Sequence, residues 1–159
     1  MYEKFGQFID GKWSPSENKE TYEVINPATE EVIGKVSKAS SVEVKKALKS
    51  AEKGLEIWKN TTPWERSYKL RKVADLMREK KDVLAKWLTL EVGKPLAEGV
   101  GEVGGAADIF EWNAEETKRI FGQTVQTRFP DTRAHIYYQP VGVVAALVPW
   151  NFPIVLAAR

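Results

Sequence analysis

The spacing of apolar residues divides the chain into stretches with a strand period and stretches with a helix period. Residues 5–13 are apolar around Asp10-Gly11, a dipeptide typical of a two-residue hairpin turn. A second pair of short strands is predicted at residues 22–25 and 31–36, joined by a turn that contains Asn26 and proline. The chain therefore begins with antiparallel hairpins.

From residue 40 the period becomes that of amphipathic helices. Ser40 and Glu43 have the spacing of a capping box, and Thr62 and Glu65 repeat it with a proline at the first helical position. The apolar face predicted for the first helix consists of Val44, Ala47, Leu48, Ala51, Leu55 and Trp58. A second helix follows the Thr62 cap.

A third helical segment is predicted from Asp82 to Gly93, and a long fourth helix between caps at Pro95 and Gly122. The seam of the fourth helix has spacings of three and four: Leu96, Val100, Val103, Ala107, Phe110, Ala114, Thr117 and Phe121. Four glycines there weaken the helix, so we expect a neighbouring element, or alternatively a ligand, to approach its backbone: Gly99, Gly101, Gly104 and Gly105.

The strand period returns at residues 123–129 and 134–139, which predicts strands with one polar face. The single histidine, His135, is predicted to be a surface strand residue and not a metal ligand or a catalytic base. Residues 141–148 are apolar almost throughout, which predicts a strand buried on both faces of a parallel sheet.

That apolar run leads into a turn that carries one amide, Asn151, between Pro149 and Pro153. Prolines on both sides restrict the backbone, so the amide is expected to be held in place. The two aromatic residues of the turn, Trp150 and Phe152, have a simpler interpretation as core residues.

Composition excludes several classes of function. Basic and acidic residues number 24 and 22 and are interspersed, so the net charge of +2 indicates no nucleic-acid partner. No apolar run is long enough for a membrane span, and the first residues do not resemble a signal peptide, so a cytoplasmic protein is expected. The chain has no cysteine, hence no disulfide, no thiolate metal site and no cysteine nucleophile of its own; no metal is predicted.

The segment Pro-Trp-Asn-Phe-Pro at residues 149–153 resembles the aldehyde dehydrogenase superfamily. Four further segments stand in the family's order: Ile-Asp-Gly-Lys-Trp at 9–13, Asn-Pro-Ala-Thr at 26–29, Glu-Val-Gly-Lys-Pro at 91–95 and Glu-Trp-Asn-Ala-Glu-Glu at 111–116. The regions 111–122 and 128–133 look most like succinate-semialdehyde dehydrogenases.

The resemblance implies an α/β fold and the amino-terminal part of a longer enzyme. Residues 1–122 would contribute hairpins and helices to the dinucleotide-binding domain, and residues 123–140 would form an oligomerisation arm. Residues 141–159 would hold the first core strand of a Rossmann-like sheet. A homo-oligomer, dimer or tetramer, is implied.

The resemblance also implies a chemistry. A downstream cysteine thiolate attacks the aldehyde, hydride passes to NAD or NADP, and a glutamate-activated water releases the acid. Asn151 would stabilise the oxyanion, and the strand end would line the nicotinamide side through Leu147, Val148, Pro149 and Trp150. Arg159 would pair with a far carboxylate of the substrate; a solvated role on a helix surface is the alternative.

The 159-residue chain alone is expected to be inactive, because it lacks the nucleophile. We further expect the apolar run 141–158 to cause self-association, or disorder beyond about residue 148. The alternative function is a non-catalytic binding or assembly module that pairs strands with a partner.

Overall fold

The computed structural model describes residues 6–159, and they begin with two antiparallel hairpins. Strands β1 (Gln7–Ile9) and β2 (Lys12–Ser14) are joined by Asp10 and Gly11. These two residues have φ angles of 54° and 75°, as a type I′ turn requires. The first hairpin is confirmed, although the part of that prediction on Phe5 lies outside the described residues.

The second hairpin pairs β3 (Thr21–Ile25) with β4 (Val32–Ser37). The side-chain oxygen of Asn26 accepts a hydrogen bond of 2.9 Å from the backbone N–H of Ala28. This local bond gives the turn its shape, so the predicted turn chemistry of Asn26 is confirmed.

Helices α1 (Ser41–Lys59) and α2 (Pro63–Glu79) both begin at a complete capping box, as predicted. The Ser40 hydroxyl donates to Glu43 Oε2 at 2.6 Å, and the backbone N–H groups of Ser40 and Glu17 donate to the same carboxylate at 2.8 and 3.0 Å. These hydrogen bonds lower the pKa of Glu43 to about 2, the Ser40 hydroxyl contributing most.

This capping carboxylate makes stability depend on pH. Because the folded pKa of Glu43 lies below its ordinary value of 4.5, the carboxylate stabilises the fold above that pH. Its contribution is lost as the pH falls from about 4.5 towards 2. We therefore expect Glu43→Gln to flatten the acid limb of stability in urea unfolding curves. Glu52→Gln is the control, because it removes a carboxylate outside the capping box. An equal effect of the two substitutions would contradict the conclusion that the Glu43 carboxylate causes this pH dependence.

Helices α3 (Lys81–Val92) and α4 (Leu96–Glu116) complete the helical layer. Gly93 ends α3, as predicted, and it has the left-handed conformation that is common at helix ends. The core lies where α2, α3 and α4 meet, and its buried apolar residues are mostly small: Ala74, Ala85, Leu88, Val103, Ala106, Ala107 and Ala114. Small residues let the helix backbones approach closely.

Helix α4 ends earlier than predicted. It stops at Glu116 and passes into a 3₁₀ turn, Thr117–Arg119, whose tighter hydrogen bonding breaks the helical seam before Phe121. Gly122 is not its cap. A Cβ atom on Gly122 would lie 2.7 Å from the carbonyl oxygen of Ile136, so this glycine belongs to the next hairpin.

The close approach expected at the glycines of α4 is confirmed at Gly99. A Cβ atom there would lie 2.9 Å from the carbonyl oxygen of Ala85 on α3, whereas one on Gly101 would meet nothing within 4 Å among the described residues.

We expect Gly99→Ala to lower the free energy of unfolding by about 1–3 kcal/mol, because backbone atoms must separate. Gly101→Ala should raise it by about 0.5–1 kcal/mol. Chemical denaturation of both variants checks this, and equal shifts would contradict it.

Strands β5 (Gln123–Gln126) and β6 (Arg133–Ile136) form a third hairpin, exposed along its whole length. His135 lies on its surface, where one ring nitrogen is 3.0 Å from the Thr124 hydroxyl. The prediction of a surface strand histidine is confirmed.

The strand predicted at residues 141–148 is wrong for this chain. The segment has no regular secondary structure and pairs with no strand among the described residues, and its side chains are mostly exposed. A strand needs a ladder partner, and residues 6–159 provide only the three two-stranded hairpins. Disorder beyond residue 148 is wrong too, because α5 (Pro153–Ala158) forms there and packs on α4.

Other apolar surfaces are also open. On α1 the predicted apolar face is formed, but Val44 and Leu48 are each 50% exposed. Within residues 6–159, no helix combines the length and the apolarity that a membrane span needs.

Candidate functional site

The turn that carries Asn151 lies directly before α5. The Asn151 side chain is exposed, and the helix begins at Pro153 after Phe152. Proline fixes its own φ and restricts the residue before it, so residues 152 and 153 have little conformational freedom. The sequence therefore places an accessible amide at a stiff corner.

A buried ion pair lies beneath this turn. Lys94, from the α3–α4 corner, donates to Glu102 Oε2 on α4, and their side chains are only 7% and 0% exposed. The same Lys94 Nζ donates to the backbone carbonyl of Asn151 at 2.7 Å. It also lies 4.3 Å from the centre of the Phe152 ring, which is cation–π distance.

The second oxygen of Glu102 caps α5. Glu102 Oε1 accepts hydrogen bonds from the backbone N–H groups of Ile154 at 2.9 Å and Val155 at 3.3 Å. A helix leaves its first N–H groups without partners, and Phe152, at the N-cap position, has no side-chain oxygen to accept them. A carboxylate from α4 supplies the missing cap.

Lys94 reaches this place because of the glycine before it. Gly93 has a φ of 78°, which reverses the chain between α3 and α4. A Cβ atom at Gly93 would lie 2.7 Å from Cγ of Pro27, in the turn between β3 and β4. The segments 26–29 and 91–95, far apart in the sequence, are therefore in contact, and together they fix where Lys94 begins.

The residues predicted to face the cofactor lie on the irregular segment before Asn151. Leu147 is 95% exposed and Trp150 is 78% exposed; Val148 and Pro149 are exposed as well. These apolar groups fit one wall of a site for a flat nicotinamide ring. They offer no charged donor for a pyrophosphate, so these four residues fit the nicotinamide part of the cofactor and not its pyrophosphate.

Arg159 lies at the far end of α5 and is exposed. The six residues of this helix separate it from the Asn151 turn by about 9 Å, at about 1.5 Å per residue. Asn151 and Arg159 thus lie at opposite ends of one short helix, and the structure does not bring their side chains into contact.

Sequence reasoning missed Lys94 and Glu102 as members of this site. One feature pointed to Glu102: it shares a helix face with Gly99 and Ala106, three residues before and four after it. A charged residue between two small residues on a buried face indicates a close partner. For metals, residues 6–159 contain no group of three potential ligands from His, Cys, Asp and Glu.

Solved structures share the fold of these residues, and two of them show the extent of the match. An NADP-dependent enzyme of Escherichia coli matches with a TM-score of 0.90 at 42% identity, over 95% of this chain and 31% of its own. A point mutant of betaine aldehyde dehydrogenase from Staphylococcus aureus, in complex with NAD⁺, matches with a TM-score of 0.89 at 34% identity, over 98% and 32%. The α/β class predicted from the sequence is confirmed.

Curated relatives agree with the structures. A glutarate-semialdehyde dehydrogenase of Pseudomonas putida is 47% identical over 152 residues, which are 96% of this chain and 32% of that protein. A succinate-semialdehyde dehydrogenase [NADP(+)] of Escherichia coli is 43% identical over 95% of this chain and 31% of its own length. The chain therefore spans about a third of the length of the curated relatives it matches.

The resemblance carried by the sequence motifs is confirmed at the level of the family. The model of the aldehyde dehydrogenase family matches residues 13–159, which is nearly the whole chain. The second and third hairpins, the helices and the Asn151 turn all lie inside this match. The chain belongs to the aldehyde dehydrogenase family.

Proposed function

We propose that the protein carrying these residues oxidises a short aldehyde with a distal carboxylate, succinate or glutarate semialdehyde, to the corresponding acid, using NAD or NADP. The observation that carries the proposal is the Asn151 turn, where an accessible amide sits on a backbone held by a buried ion pair. The names of the relatives, semialdehyde dehydrogenases, support the substrate class.

In this proposal Asn151 donates a hydrogen bond from its side-chain NH₂ to the aldehyde oxygen as negative charge develops there. An amide suits this role because it donates without titrating. The attacking thiolate is not among these 159 residues, which contain no cysteine. The proposal therefore concerns a longer polypeptide, and the 159-residue chain alone is expected to be inactive.

We assign Leu147, Val148, Pro149 and Trp150 to the nicotinamide side of the cofactor site. When bound, the nicotinamide accepts a hydride from the substrate carbon. The four residues would shield one side of the ring from water, which their exposure supports. NAD and NADP both remain in the proposal, since NADP(+) stands in one relative's name and NAD⁺ is bound in a related structure.

We further propose that residues 123–140 form an arm to another subunit, in a homodimer or homotetramer. Every residue of β5 and β6 is exposed, which supports a surface available for pairing. The division into 1–122, 123–140 and 141–159, and a cytoplasmic location, belong to the same proposal.

The test is an assay of the full-length protein. It should reduce NAD⁺ or NADP⁺ with succinate and glutarate semialdehydes, with kcat/KM about 10- to 100-fold above that for butanal and pentanal. The uncharged aldehydes match the charged ones in chain length, so the ratio isolates the carboxylate. Absence of oxidation with every aldehyde would reject the proposed function, and equal kcat/KM values would reject the substrate class.

A binding or assembly module remains the second candidate, favoured by the exposed apolar segment before Asn151. Val141 is 91% exposed, Val144 is 70% exposed and Leu147 is 95% exposed. Such a segment can add to the edge of another sheet. Sedimentation of the 159-residue chain at rising concentration tests this, and a monomer throughout would contradict self-association.

A further inference from the structure

Two buried charges lie under the turn that carries the proposed oxyanion donor, and neither takes part in the proposed chemistry. A buried lysine and a buried glutamate destabilise a fold unless each polar atom finds a partner. Here all three side-chain polar atoms are bonded. Apart from the contact between Lys94 and Glu102 themselves, these partners belong to residues 151–155.

The ion pair of Lys94 and Glu102 forms hydrogen bonds to the backbone at both ends of the turn. Lys94 Nζ holds the carbonyl of Asn151, and Glu102 Oε1 holds the N–H groups of Ile154 and Val155. Between these anchors the Phe152 ring lies on the lysine and Pro153 has a fixed φ. Two side chains, one from α4 and one from the α3–α4 corner, thus bond the backbone at residues 151, 154 and 155.

We propose that Lys94 and Glu102 are positioning residues for Asn151, an inference that rests on the proposed function. The Asn151 side chain is exposed. Its amide leaves the same Cα atom as the carbonyl that Lys94 holds, so fixing the carbonyl limits the directions in which the amide points. A donor to an oxyanion must be oriented before the reaction begins, and the ion pair provides that orientation from beneath.

A double-mutant cycle in the full-length protein separates positioning from mere stability. Lys94→Met should lower kcat about tenfold or more with little change in KM, because the donor is misplaced. In an Asn151→Ala background the same substitution should lower kcat by less than about twofold, since no donor remains to misplace. Rates are divided by the active-site concentration from titration. Equal losses in both backgrounds would overturn the proposal.

A second variant guards against simple unfolding. Lys94→Met alone leaves the Glu102 carboxylate buried without its cation, whereas Lys94→Met combined with Glu102→Leu removes both charges and keeps apolar volume. We expect this double variant to keep a melting temperature near that of the wild type, yet to lose kcat and to exchange backbone amides faster over residues 151–159. Wild-type kcat and exchange would overturn the proposal.

Lys59→Met is the matched control, because Lys59 forms an exposed ion pair with Glu56 on α1. It should change neither kcat nor exchange at the turn. The amide exchange is measured without substrate, so it tests the contacts independently of activity. A wild type that oxidises no aldehyde would reject the proposed function, whereas an active enzyme sensitive to Asn151→Ala and unaffected by Lys94→Met would reject only the positioning role.

Discussion

Replacing Asn151 with alanine in the full-length protein is expected to lower kcat by a factor of about 100 to 1,000, with little change in KM. The amide would act when charge develops on the aldehyde oxygen, so its loss raises the barrier without weakening substrate binding. The backbone carbonyl that Lys94 holds is retained in the variant. We therefore expect the turn and α5 to stay in place.

Asn151→Asp tests the hydrogen-bond donor more specifically than the alanine variant does. Aspartate has nearly the same size, but an ionised carboxylate cannot donate a hydrogen bond and repels the developing charge. Its kcat should fall at least as far as that of Asn151→Ala. Steady-state kinetics with amide exchange over residues 151–159 provide the measurement, and a kcat within about twofold of wild type in the alanine variant would remove Asn151 from the oxyanion site.

The second large effect is expected at Arg159. Arg159→Ala should lower kcat/KM for succinate semialdehyde about 10- to 100-fold, mainly through KM, because a charge-assisted contact to the far carboxylate is lost. Butanal has the same carbon count and no carboxylate, so its kcat/KM should not change. The position of Arg159, one short helix away from Asn151, is consistent with gripping the other end of a small substrate.

Arg159→Lys serves as the control for charge. It keeps the positive charge but loses the planar pair of donors that matches a carboxylate, so we expect an intermediate kcat/KM for succinate semialdehyde. Equal losses for the charged and the uncharged aldehyde would contradict the carboxylate role. Arg159 would then be a solvated residue at a helix end, which is the alternative that the sequence left open.

Local chemistry made much of this fold predictable. The capping box at Ser40 and Glu43, the Asp10-Gly11 turn and the left-handed Gly93 each depend on a few neighbouring residues. In such places the side chain satisfies or permits the backbone directly, and the sequence contains the whole cause. The Asn151 turn between prolines was predictable for the same reason.

Features that depend on distant partners were not predictable. The apolar pattern at 141–148 indicates a buried strand, but a strand forms only beside another strand, and none of the described residues pairs with it. The contacts of Lys94 with Asn151 and of Glu102 with Ile154 span 57 and 52 residues. The periodicity of a sequence does not indicate which distant residues are in contact, so the bonds of Lys94 and Glu102 to the turn could be found only from the structure.

The helical core has a consequence for the order in which the protein folds during synthesis. Among residues 6–159, the buried apolar residues all lie between Ala74 and Ala114, within the continuous segment of α2, α3 and α4. Contacts so close in sequence form quickly, and a nascent chain folds from its amino terminus as it leaves the ribosome. We expect Lys94 and Glu102 to be paired before residue 151 is translated. As it leaves the ribosome, the Asn151 turn would then pack against an ion pair that has already formed.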